Sequence, residues 1–396
     1  MSVQNGRQFL SIPGPTTVPD AVLSAMHRPA IDIREGDLVA VTDSVRKSLC
    51  DIAQTKGRPY IFIANGHGAW EAALTNVLCR DDKVLVLESG AFAMGWGQGG
   101  GTIGLDVEVL PGSWSAAVNP DTVEARLKAD TSKDIKAVLV VQVDTASSVV
   151  NDIPAIRRAI DNAGHDALLM VDTIASLGTT DYRMDEWGVD VTVAACQKGL
   201  MMSPGTSFTL ASDKALERHK HANLRTAYWD WTAREGADHY LKYSGTPPVH
   251  QLFGLQKAFE MIAEEGLEAI FLRHSLLASA TRAAVTKWVE GSALSFNIDN
   301  PAERSNSVTT VLVSDEATLN AIHDYCEHKC GVVVGVGISS LSGKALRIAH
   351  MGHINAPMLL GTLGAIEMSL KALDIPHGSG GVQAAIDYLA ENVPVS

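Results

Sequence analysis

Short apolar runs alternate with helix-like segments over the first half of the chain. The predicted strands are 83–87 (KVLVL), 137–143 (AVLVVQV), 167–171 (ALLMV), 189–193 (VDVTV) and 207–210 (SFTL). Between them, 152–163 (DIPAIRRAIDNA) carries apolar residues at helical spacing, with Asp152 as its predicted N-cap. This alternation predicts an α/β domain in which a mostly parallel sheet is covered by helices on both faces.

The pattern changes after a long helical stretch at 249–288. The chain beyond it mixes predicted strands with predicted helices, namely strands at 306–313, 331–336 and 345–350 and helices at 317–328 and 357–372. Such a mixture is typical of a smaller α+β domain. We therefore divide the chain into an N-terminal segment (1–20), a large α/β domain (21–275) and a small C-terminal α+β domain (276–396).

Length, charge and cysteine content narrow the class of protein. The 396 residues exceed what one core usually supports, so we expect a large domain and a smaller one. No apolar run approaches the roughly 20 residues that span a bilayer, so we expect no membrane role. No secretory signal is recognisable, and five cysteines form an odd set without a disulfide framework, so we expect a cytoplasmic protein. The net charge of −13 disfavours nucleic acid as a partner.

Candidate chemistry lies at the ends of the predicted strands. In parallel α/β sheets, ligands bind outside the carboxyl ends of the strands, next to helix N-termini. The turn Asn65-Gly66-His67 follows an apolar run and opens a helical segment, AWEAALTNVL. Its backbone N–H groups and the helix dipole suit a phosphate, although an ordinary tight turn would have the same residues.

Two further strand ends carry an acid and a base. Asp172 closes ALLMVD, where a buried carboxylate needs a cationic partner; a helix cap, a structural ion pair and a contact to a protonated ring nitrogen all fit. Lys198 lies between the apolar run VTVAA and a Ser-Pro-Gly turn. Its amine could condense with an aldehyde if burial or a nearby cation lowers its pKa, and the alternative is a solvated surface lysine.

A fourth candidate is Arg347, which lies inside the strand-like ALRIAH. Its planar guanidinium could bind a carboxylate across a domain cleft, whereas an exposed strand position is the alternative. A phosphate site, an acid for a pyridine nitrogen and a lysine for an aldehyde match the three functional groups of pyridoxal 5′-phosphate (PLP). Taken together, the four features predict PLP as the cofactor and Arg347 as the group that binds a substrate carboxylate.

These segments resemble those of the class V, fold-type I PLP-dependent aminotransferases, and within them the alanine/serine/aspartate–glyoxylate aminotransferase group. The resemblance runs from IPGP at 12–15 to GKALRI at 343–348. Its most specific stretches are VDTIASLG (171–178), MDEWGVDV (184–191) and QKGLMMSPG (197–205). It implies the fold-type I architecture, with a large PLP-binding domain and a smaller C-terminal domain.

The resemblance also implies roles for individual residues. Lys198 would carry the Schiff base, Asp172 would face the pyridinium nitrogen, and Arg347 would bind the substrate carboxylate. The other implied cofactor contacts are Asn65, Gly66, His67 and Gln197 at the phosphate, Thr145 at the phenolic oxygen, Phe92 (or Trp96) on the ring face, and Tyr243 and Thr246 at the phosphate of the neighbouring subunit of a homodimer.

The implied reaction is a ping-pong transamination through the Lys198 Schiff base. The amino group of L-serine, L-alanine or L-aspartate would pass to glyoxylate, giving glycine and a 2-oxo acid. The sequence does not choose among these donors. Several relatives have His-Arg-Ser where this chain has IDIREG at 31–36, which makes Arg34 a second candidate substrate-binding residue.

Two sequence features are also compatible with other enzyme classes. A PLP-dependent lyase or desulfurase of the same fold would use a cysteine, and Cys196 lies near Lys198; a desulfurase, however, usually carries its cysteine on a mobile loop. The run 95–100 (GWGQGG) fits the G-x-G-x-x-G pattern of NAD-dependent oxidoreductases. The preceding strand ends near residue 87 and no helix is predicted to open at the motif, which argues against NAD.

A cluster of potential metal ligands lies in the small domain. His323, Cys326 and Cys330 could share one helix face. A closed zinc site needs a fourth ligand and usually a C-x-x-C element, so we expect these residues to pack a helix and expect no metal.

Overall fold

The computed structural model describes residues 2–292 and 294–394. The strands in this part are β1 (Phe9–Ser11), β2 (Arg58–Phe62), β3 (Lys83–Leu87), β4 (Asp106–Leu110), β5 (Ile135–Val141), β6 (Val143–Asp144), β7 (Val149–Val150), β8 (Leu168–Asp172), β9 (Val191–Ala195), β10 (Ser207–Ala211), β11 (Leu294–Phe296), β12 (Val308–Val313), β13 (Val332–Val336) and β14 (Ala345–Ala349). The α-helices are α1 (Asp20–Met26), α2 (Asp37–Ala53), α3 (Gly66–Val77), α4 (Ala91–Thr102), α5 (Pro120–Ala129), α6 (Ile153–Asn162), α7 (Asp213–His219), α8 (Val249–Glu265), α9 (Leu267–Trp288), α10 (Glu316–Tyr325), α11 (Ala356–Ala372) and α12 (Gly381–Asn392).

The large domain is built on a seven-stranded sheet in the order β2-β10-β9-β8-β5-β3-β4. Strands β9, β8, β5, β3 and β4 are parallel, whereas β10 is antiparallel to both β9 and β2. Two antiparallel pairings in succession make β2 run in the same direction as β9. The carboxyl ends of β2, β3, β5, β8 and β9 therefore lie at one edge of the sheet, and the predicted α/β fold is confirmed.

Both faces of this sheet are covered, which explains why its strands are apolar without alternation. In β5, Val138 and Val140 belong to one hydrophobic core, while Ala137, Leu139 and Val141 belong to the other. The first core also takes in α2, α6 and α8, and the second takes in α3 and α4. Each strand side chain is thus removed from water regardless of the face on which it lies.

The predicted bounds are close to those in the structure. The run 83–87 coincides with β3, the run 189–193 begins two residues before β9, and the run 137–143 is divided between β5 and β6. Asp152 caps α6 as predicted, because its carboxylate accepts a hydrogen bond from Ala155 N at 2.8 Å. The stretch 249–288 forms two helices rather than one, since Gly266, at φ 82°, separates α8 from α9.

A second sheet supports the C-terminal part of the chain. Its order is β1-β13-β14-β12-β11, with β1 parallel to β13 and the other pairings antiparallel. Helices α9, α11 and α12 pack on it around Trp288, Leu363 and Leu389. Strand β1 belongs to the segment 1–20 yet pairs in this sheet, and the boundary proposed after residue 275 falls inside α9.

Two other sequence features have structural positions that bear on function. The GWGQGG run at 95–100 lies inside α4, not in a turn between a strand and a helix. The His323, Cys326 and Cys330 segment ends α10 and continues as a π-helical turn, and the described residues contain no cluster suited to a metal ion. Within 2–292 and 294–394, no helix is both long and apolar enough to cross a membrane.

Candidate active site

A cavity of about 160 Å³ opens at the carboxyl ends of β5, β8 and β9. The predicted site residues that line it are Asn65, Gly66, His67, Phe92, Thr145, Asp172, Gln197 and Lys198. They come from segments that follow five different strands, and the parallel arrangement brings those segments to one edge of the sheet. The structure thus brings these eight residues together, as the strand-end argument anticipated.

Asp172 is the last residue of β8 and is 2% exposed. Its Oδ2 accepts a hydrogen bond from Trp70 Nε1 and its Oδ1 accepts one from Ile174 N, both at 2.7 Å. Burial raises the pKa of Asp172 to about 7, because the charged carboxylate loses its hydration. A carboxylate placed in this way gains most from a cationic group in the cavity, as a protonated ring nitrogen would be.

Lys198 follows β9 and lies beneath the N-terminal segment that leaves β1. Its Nζ donates to the Pro13 carbonyl, and the Thr16 hydroxyl donates to the Lys198 carbonyl at 2.9 Å. Gly14 packs against the Lys198 side chain at φ 99°, a backbone conformation that favours glycine. Burial, assisted by the positive charge of Arg347, lowers the pKa of Lys198 to about 8. The amine is therefore far closer to its neutral, nucleophilic form than that of an exposed lysine.

The turn that opens α3 forms the polar end of the cavity. Asn65 is the N-cap of α3, and its side chain accepts from His67 N at 3.1 Å. A Cβ on Gly66 would lie 2.3 Å from Ile174 Cδ1, so a side chain there would meet the opposite wall. Gln197 Oε1 is buried and has no hydrogen-bond partner within the described parts of the chain. Gln197 Oε1 thus lacks a donor there, whereas the free N–H groups of the first turn of α3 suit an anionic group such as a phosphate.

The structure separates the two aromatic candidates for the ring face. Phe92, in the first turn of α4, lines the cavity. Trp96 is completely buried and stacks on Trp70, with ring centroids 6.1 Å apart and an interplanar angle of 15°. Trp96 is therefore a core residue, and of the two candidates it is Phe92 that lies where a flat ligand can pack on its ring.

Arg347 lies in the middle of β14 and is only 8% exposed, so the exposed-strand alternative is wrong. Its Nε donates to the Val336 carbonyl at 2.7 Å, and its Nη1 donates to the Thr145 carbonyl at 2.9 Å. Burial lowers the pKa of Arg347 to about 10, which still leaves it charged at neutral pH. The bond to Thr145 ties this small-domain arginine to the lining of the large-domain cavity.

Three predicted residues lie away from the cavity of their own chain. Arg34 is exposed, with its guanidinium carbon 5.6 Å from the centroid of the Tyr240 ring, and its contact with the substrate stays a prediction. Tyr243 is 1% exposed and its hydroxyl is 2.7 Å from Thr42 Oγ1; its reach to a partner's phosphate stays a prediction. Thr246, by contrast, is exposed.

Sequence reasoning missed two residues. Trp70 lines the cavity and donates to Asp172, and nothing in the sequence pairs an indole on α3 with a carboxylate on β8. Asp144 is a completely buried carboxylate just before Thr145. A signal for Asp144 was present, since it ends an apolar run in the same way as Asp172 does.

Cys196 bears on the desulfurase alternative. It is completely buried at the end of β9, and its thiol donates to the Ser203 carbonyl at 3.0 Å. Burial raises the pKa of Cys196, which disfavours the thiolate that a desulfurase needs. The residue is packed in the hydrophobic core directly after β9.

Comparison with known proteins agrees with this geometry. The Aminotransferase class-V family matches residues 10–356. A serine–glyoxylate aminotransferase of Methylorubrum extorquens is 37% identical over 395 residues, which cover 98% of this chain and 97% of that protein. An L-aspartate–glyoxylate aminotransferase of Paracoccus denitrificans is 37% identical over 384 residues, which cover 95% of each chain. The crystal structure of pyridoxamine–pyruvate aminotransferase from Mesorhizobium loti has a TM-score of 0.89 at 25% identity, covering 99% of this chain and 100% of that one.

The family match spans both domains and includes each strand end that lines the cavity. The acid Asp172, the lysine Lys198 and the start of α3 fit the ring nitrogen, the aldehyde and the phosphate of PLP. The chain therefore belongs to the class V aminotransferases, fold-type I enzymes that use pyridoxal 5′-phosphate.

Proposed function

We propose that this aminotransferase moves the amino group of L-serine, L-alanine or L-aspartate to glyoxylate, giving glycine and a 2-oxo acid. The observation that carries the proposal is the pairing of Lys198 and Asp172 in one cavity, with pKa values shifted towards each other by burial. Relatives named serine–glyoxylate and L-aspartate–glyoxylate aminotransferases, each 37% identical to this chain, support glyoxylate as the acceptor.

The lining residues divide according to the parts of PLP. We assign Asp172 to the ring nitrogen, Phe92 to the ring face, Thr145 to the phenolic oxygen, and Asn65, Gly66, His67 and Gln197 to the phosphate. When bound, PLP supplies an aldehyde that joins to amines and a ring that accepts electrons from the carbon bearing the amino group. Asp172 would keep the ring nitrogen protonated, which makes the ring a better electron acceptor.

Lys198 and Arg347 would act on the substrate. The Arg347 guanidinium, held in plane by the Val336 and Thr145 carbonyls, would bind the α-carboxylate and fix the direction of the Cα–H bond. The neutral Lys198 Nζ would remove the proton from Cα and later deliver it to the former aldehyde carbon of the cofactor, on the other side of the nitrogen. The same two residues would serve glyoxylate in the reverse direction, which gives ping-pong kinetics.

The donor is identified by a substrate assay with purified holoenzyme. Each of the three amino acids is supplied with glyoxylate, and glycine and the 2-oxo acid are measured together. We expect equimolar products and parallel double-reciprocal plots for at least one donor. Release of ammonia or sulfide without glycine would favour a lyase or desulfurase and contradict the proposal.

A lysine variant tests the assignment of Lys198. K198A should lose turnover by several orders of magnitude, and borohydride should no longer attach the cofactor covalently. Lys47, with 79% of its side chain exposed, offers a matched control, and K47A should behave as the unmodified protein. Covalent attachment at any other residue would refute the assignment.

We also propose that two copies of the chain form a homodimer in which Thr246 reaches the phosphate site of the partner. Thr246 is exposed in the turn that follows residues 239–243, where it can face a second chain. A shared site would make activity depend on dimerisation.

A further inference from the structure

Asp144 has no part in the chemistry assigned above, although it is completely buried between the cavity and α4. We propose that Asp144 is a positioning residue for transamination, which fixes Phe92 against the cofactor and Thr145 beside Arg347. The inference rests on the proposed function, since it assumes that Phe92 and Arg347 contact the cofactor and the substrate.

The first observation concerns the start of α4. Its N-cap is Gly90, which has no side chain to satisfy the free N–H groups of the first turn. Asp144 Oδ2 supplies the cap from a distant strand, because it accepts from Phe92 N at 2.8 Å and from Ala93 N at 3.1 Å. These two hydrogen bonds to one oxygen, one of them from Phe92 N, fix the backbone of Phe92 and thereby the position of its ring.

The second observation concerns the turn between β6 and β7. Asp144 Oδ1 accepts from Ala146 N at 3.0 Å. The carboxylate thereby holds the backbone on both sides of Thr145, whose carbonyl accepts from Arg347 Nη1 at 2.9 Å. One side chain therefore links the aromatic ring at the cavity with the arginine of the small domain.

The third observation is the close fit around the carboxylate. A Cβ on Gly90 would lie 2.2 Å from Asp144 Cγ and within 2.5 Å of both carboxylate oxygens. The backbone of Gly90 thus packs directly on Asp144 and leaves no space for the carboxylate to turn. Glycine at position 90 is required by this contact.

A carboxylate suits this position better than its neutral analogue. Three N–H donors converge on two oxygens, and asparagine offers only one oxygen and adds an amide NH₂. In D144N, either the first turn of α4 or Ala146 N would face a donor and remain unsatisfied. Burial raises the pKa of Asp144, and the backbone N–H groups of Ala146, Ala93 and Phe92, together with the positive charge of Arg347, oppose that rise.

The test compares D144N with S147A. Ser147 Oγ donates to the Ser89 carbonyl at 2.7 Å, so it joins the same two segments without touching the Asp144 carboxylate. We expect kcat to fall and the donor KM to rise in D144N, with kcat/KM reduced by about 10- to 100-fold, because displacement of positioning groups has effects of that size. The visible circular dichroism of bound PLP should weaken in D144N and stay unchanged in S147A.

Hydrogen exchange gives a readout that needs no cofactor. In the apo-protein, D144N should accelerate amide exchange at Phe92, Ala93 and Ala146, while S147A should not. G90A, which keeps the carboxylate but displaces it, should reproduce the D144N pattern. The proposal is overturned if D144N matches S147A in kinetics, dichroism and exchange, or if D144N and G90A both fail to fold, since Asp144 would then serve the fold alone. Absence of any glyoxylate-dependent activity in the unmodified protein would instead refute the proposed function.

Discussion

Burial acts on the two central side chains in opposite directions. It raises the pKa of Asp172 to about 7 and lowers that of Lys198 to about 8, because each charged form loses hydration inside the sheet edge. Asp144 and Arg347 add one buried charge of each sign nearby. The site therefore holds two acidic and two basic side chains, and burial shifts the pKa of each of them.

The lowered pKa of Lys198 predicts how the apo-protein takes up PLP. Only the neutral amine attacks an aldehyde, so the uptake rate should rise about tenfold per pH unit below pH 8 and level off above it. An unshifted lysine, with its pKa near 10.5, would show a rate that keeps rising through pH 9. Stopped-flow absorbance between pH 6 and pH 10 measures the profile, and K198A gives the background without covalent uptake.

The bond from Trp70 to Asp172 predicts a second effect at the residue scale. W70F keeps an aromatic ring but removes the 2.7 Å hydrogen bond from Trp70 to the Asp172 carboxylate. The net contribution of a hydrogen bond to a charged acceptor is about 1.5–3 kcal/mol. We expect lower PLP affinity and a lower kcat, with the donor KM little changed because Arg347 is untouched. Titration of the apo-protein and steady-state kinetics measure both quantities.

A matched control separates this effect from the loss of an indole in general. Trp114 Nε1 donates to Glu88 Oε1 at 3.2 Å, away from the cavity. W114F should therefore leave cofactor affinity unchanged. Equal losses in W70F and W114F would argue against a role for Trp70 at the cofactor.

At the scale of elements, the site is made by strand ends and helix starts that meet at one sheet edge. Strands β8 and β9 deliver Asp172 and Lys198, and α3 and α4 begin at the cavity with Gly66 and Phe92 nearby. Close backbone contacts keep these elements together. The tightest one beside the lysine is at Gly199, where a Cβ would lie 2.2 Å from the Leu177 carbonyl oxygen.

This contact predicts the outcome of a glycine substitution. G199A should lower the free energy of unfolding by about 1–3 kcal/mol, because the obstacle is backbone and cannot rotate away. It should also weaken PLP binding, since Lys198 is the preceding residue. Denaturant unfolding and cofactor titration measure the two effects.

Gly364 in α11 is the matched control. A Cβ there meets no atom within 4 Å, and the residue is inside a helix. G364A should leave PLP binding unchanged and raise the free energy of unfolding by up to about 1 kcal/mol, as glycine is a poor helix former. A G199A protein as stable as G364A would contradict the close contact.

At the scale of the whole molecule, the two domains are joined through the site. Strand β1 from the N-terminus pairs with β13 of the C-terminal sheet, and the chain after β1 passes over Lys198 before α1 begins. Arg347 in β14 reaches Thr145 in the large domain. The cavity thus depends on contacts between the first 20 residues, the large domain and the small domain.

A shared active site predicts that two defective chains complement each other. K198A and T246R homodimers should each be weakly active or inactive, but a mixed dimer has one site with an intact lysine and an intact Thr246. Co-expression of the two variants, with activity and mass measured on the purified dimer, should therefore restore part of the activity. Coexpressed K198A and K47A provide the reference, and activity that never exceeds the sum of the separate variants would refute sharing.

The sequence alone predicted the features that depend on residues close together in the chain. Alternating apolar runs predicted the α/β fold, and Asp152 marked a helix start, because a buried strand and a capped helix depend on neighbouring residues. Asp172 and Lys198 stood out as charged residues at the ends of apolar strands. Their types and positions pointed to PLP before any distance was known.

Tertiary structure decided everything that depends on residues far apart in the chain. It selected Phe92 over Trp96, buried Arg347, enclosed Tyr243 and placed Asp144 under α4. It also added β1 to the C-terminal sheet. The reason is physical: hydrophobic period and capping are local properties of a sequence, whereas burial, pKa and hydrogen-bond partners arise only when distant segments pack together.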